Sequence, residues 1–163
     1  IKAEPDFKAR LLAHASQAWL LAGKPDRADD VLTAALKLVP GEVDLLVDRA
    51  TARAALKRYW EALDDLNQAI EGDPSRADAF AFRASAYRFL DSLDLAASDA
   101  DQALRLNATH PEALLERGII RRLKGDNDGA RQDWLTLVTA HPGTPAARSA
   151  QANLEKMDVR TKK

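Results

Sequence analysis

The chain has 163 residues, a net charge of −1, 30% charged residues and no cysteine. That length allows one domain with a sizeable core; the balanced charge leaves no electrostatic footprint for nucleic acid, and the missing cysteine excludes disulfides, Cys-ligated zinc and thiol catalysis. No apolar run approaches the roughly 18 residues needed to span a bilayer, and the one polybasic stretch, Arg160-Thr161-Lys162-Lys163, reads as a frayed charged terminus rather than a membrane anchor.

Seven Gly, seven Pro and the lack of alternating strand patterns point to an all-α fold. In chain order, Ile1–Asp6 closes on Glu4-Pro5-Asp6 and reads either as the end of an earlier second helix, with the chain cut from a longer array, or as a disordered leader. Four helix-turn-helix blocks then follow without a gap: Ala9–Glu42, Val43–Arg76, Ala77–His110 and Pro111–Thr144, a period of 34 residues. The turns inside the blocks are Gly23–Asp26, Lys57–Trp60, Asp91–Asp94 and Gly125–Asp128. Gly, Pro, Asp and Asn supply the chemistry that stops one helix and starts the next, and Lys57–Trp60 lacks it. Between blocks, Pro40-Gly41, Asp73-Pro74-Ser75, Asn107–Pro111 and His141–Pro145 do the same, with Thr144 placed as an N-cap before an N1 proline. A terminal helix over 145–158, with Ala146, Ala147, Ala150, Leu154 and Met157 apolar, is expected to cover the last block.

The aligned columns carry the packing. One column is Ala28, Ala62, Ala96 and Ala130; another is Ser16, Ala50, Ala84 and Gly118. Small residues at such points let paired helices approach to roughly 8–10 Å. Large positions lie between them: Leu12, Leu46, Phe80 and Leu114 in the first helices, and Leu32, Leu66, Ala100 and Trp134 in the second. Ala100 is small where its counterparts are large, so a cavity or a neighbour, Phe89 by expectation, fills that space.

On these columns the chain resembles the tetratricopeptide repeat (TPR) family, over Ala9–Thr144. The resemblance implies a right-handed α-solenoid with a C-terminal capping helix, treated as a single domain over 1–163. The family's aromatic late in the first helix is Trp19 and Tyr87 in two blocks but Arg53 and Arg121 in the others. The resemblance also implies a concave groove, lined by the first helices, that takes an extended or helical peptide of a partner protein. The family's carboxylate clamp is absent: its slots hold Ala13 and Gln17, Asp48, and Asp78 and Phe82, so heat-shock-chaperone binding does not carry over.

Helical spacing selects the groove-facing residues as Asp44, Val47 and Thr51, then Asp78, Ser85 and Arg88, then Glu112, Leu115, Ile119 and Arg122, with Phe82 and Phe89 on adjoining faces, where they line the groove or pack between repeats. Asp44, Asp78 and Glu112 form an acidic row; Arg88 and Arg122 form a basic one, with an apolar floor between. Arg49, Arg83 and Arg117, one per block, are expected to pair with carboxylates and act structurally, and Trp60, in a turn that favours exposure, is expected to pack half-buried on Tyr59 ahead of the alternative of an exposed contact residue.

No catalytic set stands out. His14, His110 and His141 have no HExxH or nearby carboxylate cluster and read as solvated or capping residues. Asp126-Asn127-Asp128-Gly129 lacks the spaced ligands of a calcium loop and reads as a helix start. No serine has a histidine partner at useful spacing, and no Gly-rich phosphate loop occurs. The expected function is therefore a noncatalytic protein-interaction scaffold without cofactor or metal, with a protein or peptide partner, no nucleic acid and no membrane insertion. The alternative is a structural spacer or self-associating segment of a longer solenoid, acting through its N-terminal end, or a regulatory arm of a larger protein. The absent cysteine and the non-Met start tilt the expected location toward a bacterial extracytoplasmic compartment.

Overall fold

The computed structural model describes residues 3–161, with side chains over 4–158. Among the described residues the secondary structure is nine helices: α1 (Ala3–Leu21), α2 (Pro25–Leu38), α3 (Val43–Ala55), α4 (Tyr59–Gly72), α5 (Ala77–Phe89), α6 (Leu93–Leu106), α7 (Pro111–Leu123), α8 (Asn127–Ala140) and α9 (Pro145–Thr161). Ala3–Asp6 belongs to the start of α1, which corrects the expectation of an earlier helix closing there. Pro5 sits in the first turn, where the missing N–H has no intrahelical partner to lose. Ile1 and Lys2, and Lys162 and Lys163 of the basic tail, lie outside the described residues.

The period sets the backbone as well as the side chains. Gly23, Lys57, Asp91 and Gly125 occupy one column, and all four have positive φ, 68°, 61°, 60° and 89°. After each, the next N–H donates back to the carbonyl five residues earlier: Lys24 to Trp19 at 2.9 Å, Arg58 to Arg53 at 2.9 Å, Ser92 to Tyr87 at 2.9 Å and Asp126 to Arg121 at 2.8 Å. These bonds satisfy carbonyls that the ending helix leaves open. Lys57–Trp60 thus makes the same turn as the others, with Lys57 in the left-handed region without glycine's freedom.

Contacts group the chain into two compact units, one running to Ala79 and the other starting at Phe80. In the first, α1 pairs with α2, α3 pairs with α4, and α2 packs on α3. Leu32, Leu46 and Leu66 are fully buried there among Ala28, Ala35, Ala50, Ala62 and Ala69. In the second, α7 pairs with α8, α6 packs on α7, and α9 lies on α8 and α7 through Ala147, Ala150, Leu154 and Met157.

Two substitutions in the repeat pattern are matched by their neighbours. Ala100 sits in a cluster with Ala84, Ala96 and Ile120, with Tyr87 packed against it. Phe89 does not fill that space, since it is 53% exposed at the helix end. Trp134 takes the volume that Leu32 and Leu66 occupy in earlier repeats, and the facing residue is correspondingly Gly118. A Cβ on Gly118 would lie 2.2 Å from Trp134 Nε1. The buried indole N–H donates to the Leu115 carbonyl at 3.2 Å, so the polar edge of this ring is satisfied.

Candidate protein-interaction face

The charges that repeat most regularly are internal. Arg49 donates to both oxygens of Asp65 at 2.7 and 3.0 Å. Arg83 does so to Asp99 at 2.7 and 2.9 Å, and Arg117 to Asp133 at 2.8 and 3.0 Å. Each pair ties a first helix to its own second helix, and the carboxylates are almost fully buried. Donating to these carboxylates pushes the Arg83 and Arg117 guanidiniums further toward the charged form. The Asp column was legible as the residues 65, 99 and 133, sixteen after each Arg, but a single carboxylate on an Asp-rich helix gives no local sign of its burial. The first repeat has Ala15 and Val31 at the same two positions, so both partners are missing together.

Arg53 and Arg121 extend this network. Arg53 donates to Asp29 and Asp65, each at 3.0 Å, and Arg121 to Asp133 at 3.0 Å. They stand where the other repeats carry Trp19 and Tyr87, so a charged pair replaces an aromatic contact.

On the first unit, the predicted face is narrower than helical spacing indicates. Leu45, Leu46 and Val47 are all buried, so α3 is covered over much of its circumference and Val47 offers no floor to a ligand. Thr51 is exposed, but its hydroxyl donates to the Val47 carbonyl at 3.1 Å. Arg76 gathers the acidic residues: it donates to Asp44 at 2.5 Å and to Asp78 at 3.0 and 3.1 Å. Asp48 lies close by, and its pKa is raised by burial first and then by Asp44 and Asp78, with Arg76 opposing. Beside this cluster a cleft of about 450 Å³ opens between α1 and α3, lined by Asp6, Arg10, Ala13, Glu42 and Asp44 among others.

On the second unit, α5 and α7 bring the remaining residues together. Arg88 donates to both oxygens of the buried Glu116 at 2.6 and 3.0 Å, and its guanidinium lies 4.2 Å from the Phe89 ring centre. Its charge is therefore committed to Glu116, and the expected basic row reduces to Arg122, whose side chain makes no hydrogen bond or ion pair among the described residues. Glu116 had no sequence signal, because its partner lies on another repeat at no helical spacing. Phe82, Ser85, Glu112, Leu115 and Ile119 are half-buried, and Phe89 is exposed. Trp60 is 70% exposed, which overturns the expected packing on Tyr59: it is the second residue of α4, beyond the first-helix/second-helix contact.

The histidines and the acidic loop serve helix ends or solvent. His110 Nδ1 accepts from the Ala113 N–H at 3.3 Å, His141 Nε2 lies 2.6 Å from the Thr109 carbonyl, and His14 is exposed. Asp126 accepts from the Gly129 N–H at 2.8 Å, and Thr144 from Ala147 at 3.2 Å, as N-caps do. No helix among the described residues is long and apolar enough to cross a membrane.

The tetratricopeptide repeat family matches residues 20–79 and 83–153. The chain belongs to the tetratricopeptide repeat family. Its fold is an all-α helical-repeat solenoid, similar to the thermophilic TPR protein TTC0263 of Thermus thermophilus, with a TM-score of 0.77 and 25% identity over 94% of this chain and 81% of that one. The first TPR of Spaghetti (RPAP3), bound to the HSP90 peptide SRMEEVD, matches with a TM-score of 0.69 and 29% identity over 72% of this chain and 94% of that one. Among curated relatives, tetratricopeptide repeat protein 36 of Bos taurus is 36% identical over 91 residues, 53% of this chain and 47% of the relative. Human DnaJ homolog subfamily C member 3 is 26% identical over 120 residues, 74% of this chain and 24% of the relative. The chain thus spans less than half the length of these curated relatives.

Proposed function

We propose that this TPR chain is a noncatalytic protein-interaction scaffold that holds a peptide or helix of a partner on its first-helix face, with Phe89, Leu115, Ile119 and Arg122 on α5 and α7 as the main contacts. The observation that carries the reading is the α5–α7 junction: the exposed Phe89 ring lies against the Arg88 guanidinium, which bonds Glu116 on α7, and α7 also carries the half-buried Leu115 and Ile119 and the side chain of Arg122, unpaired among the described residues. Peptide capture by the RPAP3 domain supports the general class. The acidic SRMEEVD peptide is not the expected ligand, because Asp48 and Asp78 stand in the clamp positions and already repel one another.

The test is affinity capture from the source cell with the wild-type chain and with Ile119→Asp and Phe89→Ser, each checked for unchanged far-UV circular dichroism. Loss of the same bound proteins in both variants is expected; undiminished capture by both removes the groove from consideration. Labelled SRMEEVD peptide is expected not to bind. Self-association through the N-terminal end is a second reading, favoured by the exposed Phe7, Leu11 and Leu21 of α1.

A further inference from the structure

We propose that the outward face of α1 pairs two copies of this chain, antiparallel, about a two-fold axis near His14; the proposal rests on the self-association reading and gives it a surface. The inward side of α1 buries Ala9 and Ser16. On the opposite side Phe7, Leu11 and Leu21 are 60%, 54% and 91% exposed, with His14 and Ala18 exposed between them. Their spacing of four, three, four and three residues draws one continuous stripe along the helix.

The other repeats indicate what covers such a stripe. Leu11 and Ala18 share columns with Leu45 and Ala52 of α3 and with Ala113 and Ile120 of α7, all buried, where α2 and α6 pack. The stripe thus continues an established helix–helix junction, and its natural cover is a helix. At the internal junctions Arg49 reaches Thr33 and Arg117 reaches Asp101; α1 offers Ala15 at the corresponding place, so an acidic second helix of this kind would find no guanidinium there. The outward residues of α9, Arg148, Ser149, Gln151, Ala152, Glu155 and Lys156, are polar apart from the small Ala152 and provide no apolar stripe for head-to-tail stacking.

The stripe does match itself. Phe7 and Leu21 each lie seven residues from His14, and Leu11 and Ala18 three and four. An antiparallel two-fold contact places Leu11 against Ala18 of the second copy, large against small, and keeps the two Glu4 carboxylates apart; a parallel one opposes Glu4 to itself. A two-fold interface requires this self-complementarity.

The test uses the whole chain, whose lack of cysteine lets single introduced thiols report geometry. Sedimentation velocity from low to high micromolar is expected to show a monomer–dimer equilibrium, with Leu11→Glu raising the dimer Kd at least about tenfold at unchanged helicity. Under mild oxidation His14→Cys is expected to form a covalent dimer. Glu4→Cys is expected not to cross-link with itself. A wild-type chain that stays monomeric throughout overturns self-association altogether. A dimer that survives both Leu11→Glu and Phe7→Glu, or Glu4→Cys linking to itself, leaves self-association standing and overturns this face and its orientation. None of these outcomes touches the proposed peptide face on α5 and α7.

Discussion

Replacing Gly118 by alanine tests whether the last repeat is governed by local helix preference or by its tryptophan. Helix propensity alone favours alanine in a helix interior by about 1 kcal/mol. The new Cβ, however, would stand 2.2 Å from Trp134 Nε1 and 2.7 Å from Cδ1 and Cε2, where ordinary contacts begin at 3.4 Å. The indole cannot swing away, being fully buried and bonded to the Leu115 carbonyl. Forcing a methyl into a packed site costs typically about 1–3 kcal/mol, and a clash of this depth belongs at the upper end. Gly118→Ala should therefore be destabilised by about 2 kcal/mol net, a drop of roughly 4–8 °C in Tm for a chain of this size. The sharper expectation is a reversal of sign. In a Trp134→Leu background the same substitution recreates the Ala50–Leu66 combination of the second repeat, and it should stabilise. Urea midpoints followed by far-UV circular dichroism for the four proteins of this cycle give the coupling, expected at about 2–3 kcal/mol. If Gly118→Ala is neutral in the wild type, or has the same sign in both backgrounds, the argument that Trp134 selects glycine is wrong.

Lys57→Gly should gain about 0.5–1 kcal/mol by relieving a left-handed residue, and Gly23→Ala, whose Cβ would meet nothing within 4 Å, should lose a similar amount; thermal melts check both. Asp65→Ala leaves the Arg49 and Arg53 guanidiniums facing a buried gap and should cost about 3–5 kcal/mol, whereas Arg49→Ala with Asp65→Val, which copies Ala15 and Val31 of the first repeat, should cost clearly less in the same denaturation assay. Asp48→Asn should stabilise the protein at neutral pH, because the folded state raises the Asp48 pKa above its ordinary 3.8 and so disfavours the carboxylate. That advantage over the wild type should shrink as pH falls through the raised value and vanish below the ordinary one; an advantage that persists unchanged at low pH would mean the effect is not electrostatic.

How much was readable in the chain depends on whether a residue's role repeats. The helix pairs, the small columns and the structural role of Arg49, Arg83 and Arg117 all recur every 34 residues, and recurrence averages out local ambiguity. Lys57 shows the strength of that signal: its turn chemistry is poor, yet its column dictates the same left-handed turn as Gly23 and Gly125. The face residues are less legible because they vary between repeats. Helical spacing placed Val47 and Arg88 on the ligand side, but spacing reports only direction around one helix. The burial of Val47 and the neutralisation of Arg88 by Glu116 depend on which other side chains arrive there.

The sequence by itself thus determined the helices, their pairing, the turn positions and the membership in a repeat family, since each follows from a periodic pattern along the chain. Only the tertiary structure decided how irregular residues are accommodated: Gly118 opposite Trp134, Tyr87 rather than Phe89 beside Ala100, and Arg53 and Arg121 in ion pairs where other repeats stack an aromatic. It also decided which charges are committed to a partner: Arg88 to Glu116, and Asp44 to Arg76. Side-chain volume and charge are satisfied by neighbours in space, and for these residues the neighbours come from other helices.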